Sequence, residues 1–255
     1  MIRFFRNLRQ TALHSGNRGK YLKYAIGEIV LVVIGILIAL QINKWDESIK
    51  ASNEEKAILN RLKKELENNV EGIQNAIEKH EEIADDLTTM LPLLGPHPVL
   101  TQKDAETFKD AITEMLNAYY FNPKTSVRKN INNTGKIGLI KDQNLQFLVS
   151  DIAAAEETYL ATTGLTTTYL QNNIVPYLNS RILIINSTST IPTVTKDFEG
   201  KQSTFTNDSY QVLSEYEFEN MLSAKIVLAK QSANAATEMA SLYSECITKI
   251  NKELE

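Results

Sequence analysis

The sequence contains little cysteine, glycine, proline or histidine. Its 255 residues include one cysteine, Cys246, so an intrachain disulfide and a zinc site built from several cysteines are excluded. Ten glycines and six prolines are few for this length, and such a composition favours long helices over a turn-rich β architecture. We therefore expect an all-α protein of one or two domains.

Acidic residues are absent from the first 27 positions, although six basic ones stand there: Arg3, Arg6, Arg9, Arg18, Lys20 and Lys23. The remainder carries 21 basic and 31 acidic residues, a net charge of −10. An acidic body argues against nucleic acid as a partner. The opening MIRFFRNLRQ alternates apolar and arginine residues, and two interpretations stay open: a short interfacial helix on anionic lipid, or a disordered basic tail.

The usual sequence signs of catalysis and cofactor binding are also lacking. The acidic cluster around His80 (Glu78, Glu81, Glu82, Asp85 and Asp86) lacks the Glu-x-x-His pairs of a di-iron bundle, and we interpret it as a solvated helix face. Gly135-Lys136 lacks the other residues of a phosphate-binding loop. No G-x-S-x-G, H-E-x-x-H or EF-hand pattern occurs. We expect no catalytic residue, no metal site and no cofactor.

A run of 18 residues that is apolar or small except for Glu28 and Gln41 extends from Ala25 to Ile42. As a helix it would measure about 27 Å, close to the thickness of a bilayer core. Tyr21 and Tyr24 precede it and Trp45 follows it, at the positions that interfacial aromatic residues take. The basic residues on its N-terminal side, with Lys20 and Lys23 nearest, predict a cytoplasmic N-terminus.

A cleaved signal peptide is the alternative, but its charged leader would be long and IALQIN lacks a small-residue cleavage pattern. We predict three parts: a basic cytoplasmic head (1–24), a transmembrane helix (25–43) and a periplasmic helical domain (44–255). The protein would then be a single-pass signal anchor in the cytoplasmic membrane.

Within the apolar run, Gly27, Gly35 and Ala39 are spaced to share one helix face, and Glu28 borders it. Small residues four apart allow helices to approach closely in lipid, so this face is our candidate for membrane helix packing. Two interpretations of Glu28 stay open: a carboxylate that snorkels or pairs locally, or one that contacts an oligomer or partner.

The rest of the chain reads as long helices with heptad spacing. The first seam comprises Leu59, Leu62, Leu66, Val70, Ile73, Ile77, His80, Ala84, Leu87 and Leu91. After a proline loop (92–101), we predict helices at about 102–121, 126–133, 142–177 and 214–254. Thr101 and Asp104 are predicted to form a capping box, and Pro176 to kink or end the helix at 142–177. Residues 180–209, rich in Ser, Thr and Asn, are predicted to be partly disordered.

The segment YAIGEIVLVVIGILIALQINKWDE, preceded by the basic head, resembles a group of uncharacterised single-span membrane proteins from Bacteroidota, known as a domain of unknown function. The matching positions are Gly27, Glu28, Gln41, Asn43 and Trp45. A weaker likeness covers Asn133 to Ile152, where Thr134 and Ile137 replace the usual Ser and Leu. The resemblance implies a membrane anchor with a helical outer domain, and it brings no activity, cofactor or catalytic residue with it.

Two classes of function follow. The first is an anchored interaction or scaffold protein of the cell envelope, with the bilayer, a second copy or an envelope protein as partner. The second is an extracytoplasmic helical domain that senses or binds a small molecule between its helices.

Overall fold

A computed structural model describes residues 18–96, 100–187 and 202–255. These residues form seven α-helices and short 3₁₀ or π turns, with no β-strand among them, so the all-α prediction is confirmed. The chain divides into two compact units, Met1–Ala57 and Ile58–Glu255. The predicted parts, with borders after residues 24 and 43, concern a membrane and remain predictions.

Helix α1 is continuous from Arg18 to Thr88, because no proline precedes Pro92. In the second unit its buried side includes Leu62, Leu66, Asn69, Ile73, Ala76, His80, Ile83, Ala84 and Leu87. The predicted seam is wrong at Val70, which is 37% exposed, because the polar residue Asn69 occupies the buried position instead. It is also wrong at Leu91, which is 38% exposed and lies in a 3₁₀ turn, Leu91–Leu93.

Helix α2 (Gln102–Leu116) begins with the predicted capping box. Thr101 Oγ1 accepts a hydrogen bond from Asp104 N (3.3 Å), and Asp104 Oδ2 accepts one from Thr101 N (2.8 Å). The helix ends five residues before the predicted Phe121. Asn117 turns into extended backbone (ψ 135°), and the chain then crosses the bundle without helical hydrogen bonds.

Helix α3 (Ser126–Asn133) has the predicted bounds. After a 3₁₀ turn (Lys136–Leu139), helix α4 (Gln143–Tyr169) starts at the Asp142 N-cap. Pro176 does not end the helical path: a π turn at Leu170–Ile174 precedes it, and α5 continues over Val175–Arg181. A short α6 (Ile184–Ser187) follows inside the predicted disordered stretch, of which residues 188–201 lie outside the described residues.

Helix α7 (Tyr216–Leu254) follows a 3₁₀ turn, Ser209–Ser214, and begins two residues after its predicted start. It packs antiparallel to the α4–α5 path. Tyr243, late in α7, contacts Glu156 in the middle of α4, whereas Phe218 at the start of α7 stacks on Tyr177 in α5.

The second unit has two hydrophobic cores. One joins Ile58–Ala76 of α1, α3, the first two thirds of α4 and the second half of α7. The other joins the end of α1, α2, α5 and the first half of α7. Between them in sequence, on three helices, lie the buried polar residues His80, Thr163, Thr166 and Ser232. Tyr119 packs against both cores, so the segment that carries it lies at the level of this polar layer.

Candidate functional site

The apolar part of α1 makes the first candidate site. Every large apolar side chain from Ile26 to Ile42 is 47–63% exposed, and a Cβ added at Gly27 or Gly35 would meet nothing within 4 Å. All four residues predicted for membrane helix packing are exposed on this helix: Gly27, Glu28, Gly35 and Ala39. Among the described residues, this helix is the one long and apolar enough to cross a membrane.

The predicted interface residues are described to different extents. Trp45 is 68% exposed on α1, and Lys23 is exposed as well. Lys20, Tyr21 and Tyr24 lie in the helix, but their side chains are outside the described structure. Arg3, Arg6 and Arg9 lie outside the described residues, so both interpretations of the basic head stay open.

The second candidate site is the α2–α3 strap, the non-helical residues 117–125 between those helices. Its backbone is held by buried side chains from three long helices. Asn69 of α1 donates to Lys124 O (2.8 Å) and accepts from Lys124 N (2.9 Å). Tyr159 Oη of α4 accepts from Phe121 N (2.9 Å). Lys225 Nζ of α7 donates to Asn117 O. The strap is partly buried, and its backbone groups that are shielded from water need such partners because unpaired groups are costly there.

Lys225 is fully buried at 1% exposure. Burial lowers its pKa to about 8, and the neighbouring Glu114 carboxylate offsets part of that shift. The pKa of Glu114 is raised, first by its own burial. A lysine in this state resembles the tuned lysines of some active sites, but its ammonium group already binds a backbone carbonyl.

His80 and Tyr159 meet beneath the strap, with His80 Nε2 3.2 Å from Tyr159 Oη. Burial, and next the charge of Lys225, lowers the pKa of His80 to about 4. Burial raises the pKa of Tyr159 to about 12. Both side chains are therefore neutral at pH 7, and Tyr159 Oη also accepts a hydrogen bond from Phe121 N. His80 is thus a packed residue, as expected.

A buried ion-pair network holds α3 to the bundle. Glu65 accepts hydrogen bonds from Val127 N (2.6 Å) and Arg128 N (3.2 Å), at the start of α3. Arg128 Nη2 pairs with Glu156 Oε1 (2.5 Å), which also accepts from Tyr243 Oη. Arg128 Nε lies 3.3 Å from Glu65 Oε1, an ion-pair distance without hydrogen-bond geometry. Burial and the bond to Glu156 raise the pKa of Tyr243.

These buried groups bind one another or the backbone, and sequence analysis did not find them. Glu65, Glu156 and Lys225 sit directly beside seam residues of their helices, and a charge at such a position was the available signal. Four of the five acidic residues near His80 are on the exposed side of α1, where Glu82 pairs with Lys79, whereas Asp86 is half-buried. Among the described residues, no group of three or more His, Cys, Asp or Glu side chains is arranged to hold a metal ion.

A small cleft lies beside α6. Its lining includes aromatic and polar side chains, among them Phe108, Asn186, Asp208 and Tyr210, and its volume is about 190 Å³. Ligand pockets usually measure roughly 300–1,000 Å³. Two of its polar groups are already hydrogen-bonded within the chain: Asn186 Oδ1 accepts a hydrogen bond from Ser203 N, and Asp208 Oδ1 accepts one from Tyr210 N.

A family model described as a family of unknown function, DUF6090, matches residues 28–154, just under half of the chain. The range begins at Glu28 and contains the rest of the apolar run, the strap and the segment Asn133 to Ile152. The expected likeness to an uncharacterised family is confirmed to that extent, whereas its Bacteroidota source and the anchor motif remain predictions. No curated protein and no solved structure matches the chain.

Proposed function

We propose that this chain is a single-pass membrane protein whose helical unit binds other proteins at the cell envelope and has no catalytic role. The observation that carries the proposal is the apolar part of α1, where a run of large aliphatic side chains is about half exposed. In water such a surface is unfavourable by roughly 25 cal/mol per Å², whereas in a bilayer it is solvated.

The orientation we propose follows from charge. Basic residues before the apolar run favour a cytoplasmic N-terminus, which puts residues 44–255 in the periplasm. The acidic balance of that part fits protein partners better than nucleic acid. The buried polar groups of the bundle hydrogen-bond to one another or to the backbone, which fits an interaction domain better than a small-molecule sensor. The cleft beside α6 is also small, and some of its polar atoms are already hydrogen-bonded within the chain.

Membrane insertion is tested by expressing the full chain in bacteria and extracting the membranes with alkaline carbonate. The native protein is expected to stay in the pellet. The double change Ile34→Arg with Ile38→Arg puts two charges at the centre of the run, at a cost of about 2.5–3.5 kcal/mol each, and should release the protein. Ile49→Arg, on the same helix beyond the run, is the matched control and should stay in the pellet. Equal extraction of all three proteins would contradict the anchor.

Separate experiments test the proposed orientation in the membrane and the proposed protein partners. Protease added outside intact spheroplasts should digest the part after residue 44; full protection of that part would overturn the topology. Crosslinking in native membranes followed by mass spectrometry should give a defined set of neighbouring proteins, and a strictly solitary chain would defeat the interaction role. A saturable rise in melting temperature with a small molecule would instead favour a ligand-binding domain.

A further inference from the structure

His80 lies where the first half of the strap, residues 117–121, crosses the bundle. The centroid of its ring is 5.7 Å from that of the Tyr119 ring, in an edge-on contact, and its Nε2 atom is 3.2 Å from Tyr159 Oη. The same tyrosine oxygen accepts the hydrogen bond of Phe121 N. His80 therefore contacts a side chain of the strap and also a side chain that holds the strap backbone.

The second side chain that holds this half of the strap carries a charge that acts on His80. Lys225 Nζ donates to Asn117 O, and its positive charge is, after burial, the second cause of the lowered pKa of His80. A proton on His80 would place another positive charge near the first, in a layer shielded from water. Because both residues are almost fully buried, neither charge could be hydrated unless a covering element moved.

The strap is the least firmly held of the elements around His80. Most of its residues are exposed or half-buried and lie outside any helix, whereas α1, α4 and α7 contribute long apolar sides to the two cores. The hydrogen bond from Asn75 Nδ2 to Tyr119 Oη is exposed to water. The second half of the strap is held separately by Asn69, which hydrogen-bonds Lys124 and lies eleven residues before His80 in α1. Segments with few apolar contacts and few backbone hydrogen bonds are the ones that open locally.

We propose that the strap is an acid-sensitive conformational switch, in which a proton on His80 releases residues 117–121 from the bundle while residues 122–125 and the long helices stay in place. Release moves the Phe121 ring away from the backbone of α1 at Gly72, which it covers closely. It also lets water reach His80 and Lys225. The switch therefore exposes a surface of α1 that the strap covers at neutral pH.

The other titratable groups around this layer do not drive the release. Among the described residues, those facing it from each packed element are Lys79, Glu82 and Asp86 on α1, Glu114 on α2, Tyr119 on the strap, Tyr159 on α4 and Lys225 on α7. Tyr159, with a pKa of about 12, and Lys225, with a pKa of about 8, keep their protons in acid. The pKa values of Glu114 and Asp86 are raised, first by burial, so acid neutralises a buried charge at each and opposes opening. Glu82 pairs with Lys79 on the exposed side of α1.

The size of the effect follows from the two environments of His80. With the strap in place its pKa is about 4, against the ordinary value of 6.5 for a histidine in water. Since the open form binds the proton more readily, proton linkage raises the equilibrium constant for opening about 20-fold between pH 7 and pH 5. The lowered pKa also means that the strap stays closed above about pH 6.5 and opens as the pH falls toward 4.

Hydrogen exchange of single backbone amides in the detergent-solubilised full chain, corrected for the intrinsic effect of pH, tests the proposal. The Phe121 amide bonds to Tyr159, so its opening should increase about 20-fold from pH 7 to pH 5. The Lys124 amide, bonded to Asn69 Oδ1 in the same strap, is the internal control and should change less than about two-fold. No increase at Phe121, or equal increases at both amides, would overturn the proposal.

A variant connects the effect to His80. In His80→Gln the opening at Phe121 should no longer depend on pH between 7 and 5, whereas His14→Gln, in the basic head, should keep the increase of the unmodified chain. The same increase in His80→Gln as in the unmodified chain would overturn the proposal.

An NMR titration of the histidine rings keeps the test independent of how well His80→Gln folds. The chain has three histidines, and His14→Gln and His97→Gln assign the other two signals. The remaining signal should titrate with a midpoint of about 4 in the unmodified chain. A midpoint near the ordinary 6.5 would mean that the strap does not shield His80 and would overturn the switch.

Discussion

Phe121 packs so closely over Gly72 that a Cβ on Gly72 would lie 2.2 Å from Phe121 Cε2. The contact therefore joins the Phe121 ring of the strap to the backbone of α1 at Gly72, where no side chain intervenes. This contact and the Asn69–Lys124 pair, three residues away along α1, fix the strap to the helix by packing and by hydrogen bonds together.

Gly72→Ala should destabilise the protein by about 1–3 kcal/mol, because overpacking must displace the Phe121 ring. Helix propensity alone predicts the opposite sign, a gain of roughly 0.5–1 kcal/mol. Denaturant unfolding of the detergent-solubilised chain measures the difference. Gly164→Ala is the matched control and should be neutral or stabilising, since its Cβ meets open space. A stabilising Gly72→Ala would contradict the close packing.

Asn69→Ala should lower the free energy of unfolding by about 1–3 kcal/mol, because both the N–H and the C=O of Lys124 lose a buried partner. The neighbouring Asn68 is exposed, so Asn68→Ala should change stability by less than about 0.5 kcal/mol. Equal effects of the two substitutions in the same unfolding assay would mean that the strap is not held by Asn69.

Arg128→Met should cost about 3–5 kcal/mol, because Glu65 and Glu156 keep their charges in a buried site without a cation. Lys129→Met, one residue along α3 and exposed, should have little effect. Adding Glu156→Gln to Arg128→Met should recover part of the loss in the unfolding measurement, since one unpaired charge is removed. No recovery would indicate that lost packing, rather than unpaired charge, dominates.

His80 should make the protein sensitive to acid. Its pKa is about 4 in the folded chain, against 6.5 as the ordinary value. A lowered pKa means that the unfolded chain binds the proton more readily, so the stabilisation is complete above about pH 6.5 and is lost as pH falls to about 4. His80→Gln should remove up to ~3 kcal/mol of the stability change over this window. Identical pH profiles for both proteins would contradict a neutral, buried His80.

The helices were largely predictable from local patterns. The capping box at Thr101 gave the start of α2, and the spacing of apolar residues gave the position of α4, because these signals act over three or four residues. The bounds of α3 were found in the same way. The end of α2 was not, since residues 117–121 are compatible with a helix and leave it because of partners on α1, α4 and α7, far away in sequence.

One candidate site could be predicted from the sequence and the buried ion-pair network could not. The apolar run of α1 is visible in composition, and its exposure in the folded chain agrees with the expectation of a spanning segment. The buried network around Arg128 was missed, because Glu65, Glu156 and Tyr243 lie on three different helices. Nothing in sequence spacing indicates that a carboxylate beside a seam will cap a distant helix.

By itself, the sequence determined where most of the helices lie and that one long segment is almost entirely apolar, because hydrophobic spacing and capping depend on near neighbours. Only the tertiary structure decided that Asn69 replaces Val70 on the buried side of α1 and that Lys225 is buried. Burial of a polar residue depends on whether a distant backbone group needs its hydrogen bonds, and that is settled when the helices pack.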